Sequence, residues 1–282
     1  MTQAQARPLA GKKALITGAS TGIGRVTAVE LARQGAEVFL ACRSAERTQA
    51  VLDEIRALPG GKAEFLPLEL GDLASVRACA ETFLARGLPL HLLINNAGLA
   101  GARGQTKSGF ELAFGVNHLG HFLLTQLLLE RIQASAPGRI VTVASKAHYR
   151  APGIDWQAVH EPTRSATGLG EYGVSKLANV LFSAELGRRL GGSGVTTYAL
   201  HPGVVATEVW RSVPWPLGWL LKLAMLSAEK GARTSLHCAT SAGAAAETGL
   251  YYDECRPKRP SRVAQDAALA KALWEHSEDW VR

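Results

Sequence analysis

Thr17-Gly18-Ala19-Ser20-Thr21-Gly22-Ile23-Gly24 decides the fold. It follows an apolar run, Lys13–Thr17, and opens a helical stretch, Ile23–Gln34. A glycine-rich turn between a strand and a helix leaves backbone N–H groups and the positive end of the helix dipole free to hold an anion, so a pyrophosphate would sit there. Glycines at 18, 22 and 24 let the backbone approach phosphate oxygens closely, and Ile23 can anchor the helix on the sheet. Gly18, Ser20, Thr21, Gly22, Ile23 and Gly24 are therefore read as one phosphate-binding turn.

Outward from this turn the same alternation repeats. Candidate strands are Lys13–Thr17, Glu37–Cys42, Ala63–Leu68, His91–Asn95, Arg139–Val143 and Val195–Leu200. Candidate helices are Ile23–Gln34, Glu46–Leu58, Ala74–Ala85, Phe110–Ala134 and Tyr172–Leu190. The strands are near-continuous apolar runs, as expected of a parallel sheet covered on both faces. The pattern predicts an α/β fold: one doubly wound, Rossmann-like parallel sheet of about seven strands with helices on both faces and right-handed crossovers. No linker or repeat interrupts it, so residues 1–282 are read as a single domain, with 11–145 mainly cofactor-binding and 145–282 carrying catalysis and substrate. Ala151–Gly170 reads as a loop. Val213–Ser227, with Trp215 and Trp219, is apolar: packed core, a dimer surface, a lid over an apolar substrate and a membrane-touching patch all suit it.

Composition excludes several classes. The chain has 282 residues, 47% of them apolar, and a formal charge of +7. Its Lys and Arg are scattered, with one tight cluster at Arg256-Pro257-Lys258-Arg259, so nucleic acid is not expected as a partner. Cys42, Cys79, Cys238 and Cys255 lack zinc or disulfide spacing and read as free thiols of a reducing compartment. No His-Glu-x-x-His or similar spacing appears, so no metal is expected. Met1–Ala10 does not resemble a signal peptide, and no run reaches the roughly 18 apolar residues of a membrane-spanning helix. The expectation is a soluble cytoplasmic protein with no transmembrane segment.

Two further patterns point to chemistry. Leu40-Ala41-Cys42-Arg43-Ser44 closes the second strand without the acid that would take a ribose 2′-hydroxyl. Arg43, with Arg47 one turn on, could instead pair with a 2′-phosphate, which favours NADP(H) over NAD(H). Tyr172 and Lys176 are four apart, one turn along one helix face. A phenol beside an ammonium can act as a general acid or base near neutral pH. His118 and His121 read as helix-packing residues, and His148 as either a loop residue or part of the substrate mouth.

Thr17-Gly-x-x-x-Gly-Ile-Gly24, Asn95-Asn96-Ala97-Gly98, Asn117, Ser145, Tyr172-x-x-x-Lys176 and Pro202-Gly203 together resemble the short-chain dehydrogenase/reductase superfamily over nearly the whole chain. Ala41-Cys42-Arg43-Ser44, Asn117-His118-Leu119-Gly120-His121-Phe122 and Leu273-Trp274-Glu275 are similar to its retinol dehydrogenase-like branch. The resemblance implies a catalytic tetrad. Tyr172 would donate the proton in reduction, and Lys176 would lower the Tyr172 pKa and bond the cofactor ribose. Ser145 would hold the carbonyl oxygen, and Asn117 would steady a water beside Lys176. It also implies cofactor contacts from Asn95, Ala97, Gly98, Pro202, Gly203 and Thr207, with Glu69, or Asp72 in its place, at the adenine. The expected activity is hydride transfer between nicotinamide and a small apolar carbonyl or alcohol, retinoids and long-chain aldehydes among them. A nucleotide-sensing regulatory protein without turnover is the alternative. The resemblance further implies a homo-oligomer, dimer or tetramer, formed through Phe110–Ala134 and Tyr172–Leu190.

Overall fold

In a computed structural model, which describes residues 7–203 and 227–282, successive residues of β1 (Lys13–Thr17) face opposite hydrophobic layers. Leu15 packs with Phe39, Leu66, Leu93 and Ile140 on one side of the sheet. Ala14 and Ile16 pack with Val38, Leu40, Ile94 and Val141 on the other. Two buried faces and a side-chain period of two make the apolar runs continuous.

The remaining parallel strands are β2 (Glu37–Cys42), β3 (Lys62–Pro67), β4 (Leu92–Asn95), β5 (Gly138–Val143), β6 (Val195–His201) and β7 (Leu250–Asp253). A two-residue β8 (Arg256–Pro257) adds antiparallel to β7. The order is β3-β2-β1-β4-β5-β6-β7-β8, eight strands where about seven were expected. The chain reverses direction across the sheet between β1 and β4, so the glycine turn after β1 and the end of β4 face each other over a crevice.

Helices α1 (Gly22–Arg33) and α2 (Ala45–Arg56) cover one face together with α6 (Ala228–Thr240); α1 buries Thr27, Ala28, Leu31 and Ala32 at helical spacing. The other face carries α3 (Leu73–Leu84), α4 (Leu112–Ala134) and α5 (Leu169–Arg189). α4 is long and apolar enough to cross a membrane, but 72% of its most apolar window is buried in the protein, as in a core helix. One π-helical turn, Gly115–Leu119, interrupts it.

The last helix, α7 (Ala267–Trp280), begins at Asp266, whose Oδ1 accepts the amides of Ala268 and Leu269. Its Trp274 stacks on Phe182 and meets Phe122 edge-on. Trp280 packs on Phe110 and Phe114. The helices that the resemblance offers for subunit contact thus carry the chain's own α7. Strands β7 and β8 and helices α6 and α7 were absent from the sequence reading. Thr207 and the 213–226 part of the apolar segment lie outside the described residues.

Candidate active site

Gly18 closes against β4 so tightly that a Cβ there would lie 2.8 Å from that of Ala97, and its φ of 66° favours glycine independently. A Cβ on Gly24 would sit 2.4 Å from the Gly18 oxygen. Thr21 caps α1 with extended backbone and no side-chain bond to the helix, and the first turn holds no acid. The first amides of α1 are therefore left for an anion. Asn96 secures the turn from across the crevice: its Nδ2 donates to the Thr17 oxygen at 2.8 Å. The Ala19 amide donates to Cys42 Sγ at 3.2 Å, and burial pushes the Cys42 thiol above its ordinary pKa. Cys79 and Cys238 are also buried free thiols.

Asn95 corrects the sequence reading. Its Nδ2 donates to Thr125 Oγ1 on α4 at 3.0 Å, and it does not line the cleft; Asn96 does. Alternation along β4 explains this: Leu93 and Asn95 face α4, so Asn96 takes the opposite side. Ala97 and Gly98 line the cleft as expected.

At the far end of the crevice Arg43, Ser44, Arg47 and Glu69 line the wall. Arg43 is exposed and Glu69 half-buried, and they stand 3.7 Å apart. Glu69 Oε1 also accepts the Gly71 amide. Asp72 lies outside the lining: it caps α3 through the Ala74 amide and pairs with Lys107, which holds its carboxyl below the usual range. Glu69 is thus the one of the two acids at the cleft wall.

At the near end, Ser145 follows β5, and Tyr172 and Lys176 project one turn apart from α5. The Ser145 hydroxyl bonds the Tyr172 phenol. Lys176 Nζ donates to the Val143 oxygen at 2.7 Å and stands 5.7 Å from the Tyr172 ring centre. Burial pulls Lys176 down to about 7. It also raises Tyr172, an effect the Ser145 bond only partly offsets. Burial is thus the largest influence on the phenol in this structure.

Asn117 sits within the π-helical turn with its side chain fully engaged. Oδ1 accepts the Leu99 amide at 2.9 Å, and Nδ2 donates to the Leu99 oxygen and to Ser175 Oγ. These bonds tie α4 to the loop after β4 and to α5.

Pro202 and Gly203 line the cleft, as does His201, which the sequence reading passed over although it directly precedes Pro202. His201 Nδ1 accepts the Lys146 amide, and burial lowers its pKa to about 4. His148 does not line the mouth. Its Nδ1 donates to the Ser145 oxygen at 2.6 Å and its Nε2 accepts the Ser261 amide, so it straps the Ser145 turn to the C-terminal segment.

The cleft joining these groups has a volume of about 1070 Å³. Beyond the polar groups, Leu99, Ala100, Leu112, Val116 and Leu169 give it an apolar wall. The glycine cradle and the uncapped α1 amides fit the pyrophosphate of a dinucleotide.

A profile of the short chain dehydrogenase family matches residues 12–215. The chain belongs to that family. Within it the chain falls in the retinol dehydrogenase-like branch: it is 45% identical over 276 residues to retinol dehydrogenase 11 of Homo sapiens, covering 96% of this chain and 86% of the relative. Among solved structures, an uncharacterized protein from Mycobacterium Paratuberculosis superposes with a TM-score of 0.78 at 36% identity, covering 100% of this chain and 97% of that one. The Pseudomonas aeruginosa RhlG/NADP active-site complex gives 0.68 at 28% identity, covering 86% and 94%. Membership makes the chain a short-chain dehydrogenase that uses a nicotinamide cofactor and acts on CH–OH groups.

Proposed function

We propose that this short-chain dehydrogenase is NADP(H)-dependent and interconverts an apolar alcohol with its aldehyde or ketone. The observation that carries the reading is one continuous cleft with Ser145, Tyr172 and Lys176 at one end and the glycine turn and Arg43 at the other. Two arginines and no aspartate follow β2, which supports a 2′-phosphate over a free 2′-hydroxyl. The apolar wall suits a hydrocarbon substrate, as does the similarity to a retinol dehydrogenase.

In this reading the bound nicotinamide supplies or accepts the hydride. The chain's residues handle the proton and the developing charge. Tyr172, its pKa raised by burial, stays a phenol near neutral pH and can donate to a carbonyl oxygen. Ser145, already bonded to that phenol, is placed to donate to the same oxygen and stabilise charge there. Lys176, anchored on the Val143 oxygen, holds an amine behind Tyr172, and Asn117 fixes the Leu99 backbone beside it.

The test follows NADPH and NADH oxidation by purified protein with all-trans-retinal, medium-chain aldehydes and bulky ketones, with Tyr172→Phe as control. We expect NADPH-dependent reduction of apolar aldehydes and a loss of about 10²–10⁴-fold in the variant. Equal or preferred use of NADH would overturn the cofactor reading. Tight NADPH binding without turnover across the panel would favour the nucleotide-sensing alternative.

A further inference from the structure

α4 carries two fully buried histidines three residues apart, and they are bonded very differently. His118 Nε2 meets Ser277 Oγ at 3.0 Å, and its ring packs among Phe114, Phe122 and Phe182. His121 instead bridges two parts of the candidate site. Its Nδ1 lies 3.0 Å from the Asn117 carbonyl oxygen and its Nε2 2.8 Å from Thr17 Oγ1. A carbonyl only accepts, so Nδ1 carries the proton; Nε2 of the neutral ring then accepts from the Thr17 hydroxyl. That hydroxyl also accepts the amides of Asn96 and Ala97, both at 2.9 Å. Its two acceptor positions are thereby filled, and its one donor has, besides His121, only the more distant Ile94 oxygen at 3.4 Å.

We propose that His121 is a positioning residue that couples the two ends of the cleft. Through Thr17 it sets where Asn96 and Ala97, both cleft-lining, stand against the glycine turn. Through the Asn117 carbonyl it holds the π-helical turn from which Asn117 clamps Leu99 and Ser175. The network is buried, so water cannot replace a lost partner without cost. Burial keeps the imidazole neutral, with a pKa lowered to about 4, so this tautomer persists at physiological pH.

The inference rests on the cleft being an NADP(H) site, and the test separates the two. Its readouts are the NADPH dissociation constant, kcat and Tm. His121→Asn can keep a donor near Nδ1 but leaves the Thr17 hydroxyl only its longer bond to the Ile94 oxygen, so NADPH binding should weaken about tenfold with kcat little changed. His121→Gln can reach Thr17 but loses the Nδ1 donor, so kcat should fall about tenfold with NADPH binding nearly intact. Thr17→Val should reproduce the binding loss and add nothing to His121→Asn, and Thr17→Ser should restore it. His118→Gln should lower Tm without changing NADPH affinity. If wild type binds NADPH and the His121 and Thr17 variants bind and turn over within twofold of it, the positioning role is overturned. If the His121 variants do not fold, the Thr17 pair decides the question from the other end. A wild-type chain that does not bind NADPH overturns the cofactor reading and this inference together.

Discussion

At the Arg43 end of the cleft the charged groups stand in water; at the Lys176 end they are sealed from it. Arg43 and Glu69 are both more than two-fifths exposed along their side chains, and their separation of 3.7 Å is that of a loose surface pair. Such pairs contribute about 0–1 kcal/mol and weaken with salt. Lys176 is buried, bonded to a main-chain oxygen and shifted to about 7. On the proposed reading, one end would select a ligand by adjustable, screened charge and the other would tune protons by excluding solvent. Substitutions at the two ends should therefore differ in size and in kind.

The largest effect is expected at Lys176. Its folded pKa lies below the ordinary 10.5, so the unfolded chain binds more protons between about 7 and 10.5. Stability from this group is complete above that window and is lost as pH falls toward 7. Lys176→Met should thus raise Tm by several degrees at pH 7, with the gain shrinking as pH approaches 10, while cutting turnover by at least about a hundredfold. Asn179 Nδ2 also reaches the Val143 oxygen, which leaves that acceptor partnered in the variant. Thermal melts across pH would check the sign: a gain that grows with pH breaks the contrast.

An intermediate effect is expected at Arg43. Arg43→Ala should weaken NADPH binding about tenfold at low salt, leave NADH binding unchanged, and lose part of its effect at high salt. Titration of both cofactors at two ionic strengths would measure this, and a salt-independent loss would place Arg43 in the wrong class. The smallest effect belongs to Asp72. Asp72→Ala removes the α3 cap and the Lys107 partner, and should lower Tm by about 2–4 °C without altering cofactor affinity. A matching loss of cofactor binding would return Asp72 to the site.

The same division governs what the sequence made legible. β1 and β2 run over the same residues as the apolar runs that predict them, and β3 to β6 agree to within a residue at each end; in all but β3, an edge strand with only Leu66 buried, this is because both faces of the sheet are buried. β7 was not legible: it is four residues long, begins with an exposed leucine and ends in an aspartate, so no apolar run marks it. α7 did carry a signal, a capping Asp266 followed by buried Ala270, Leu273, Trp274 and Ser277 at helical spacing. At the site, residue types that announce themselves, such as the glycines and Tyr-x-x-x-Lys, came through. Those decided by which face of a strand they occupy did not. Asn95 and Asn96 are chemically identical, and only the packing of β4 against α4 tells which meets the cleft. His148 and His121 likewise show their partners only once distant segments meet, Ser261 in one case and Thr17 in the other.

The C-terminal segment has a consequence for how the chain is made. Strand β7, the Ser261 partner of His148 and the two tryptophans of α7 all come from residues 250–280, well after α4 and α5. On a ribosome, α4 and α5 would emerge with Phe122 and Phe182 uncovered and the Ser145 turn unstrapped, and would remain so until residues 250–280 had followed. An N-terminal half able to pair its own strands β1 to β5 would then wait beside exposed aromatic surface, the condition under which nascent chains most need chaperone protection.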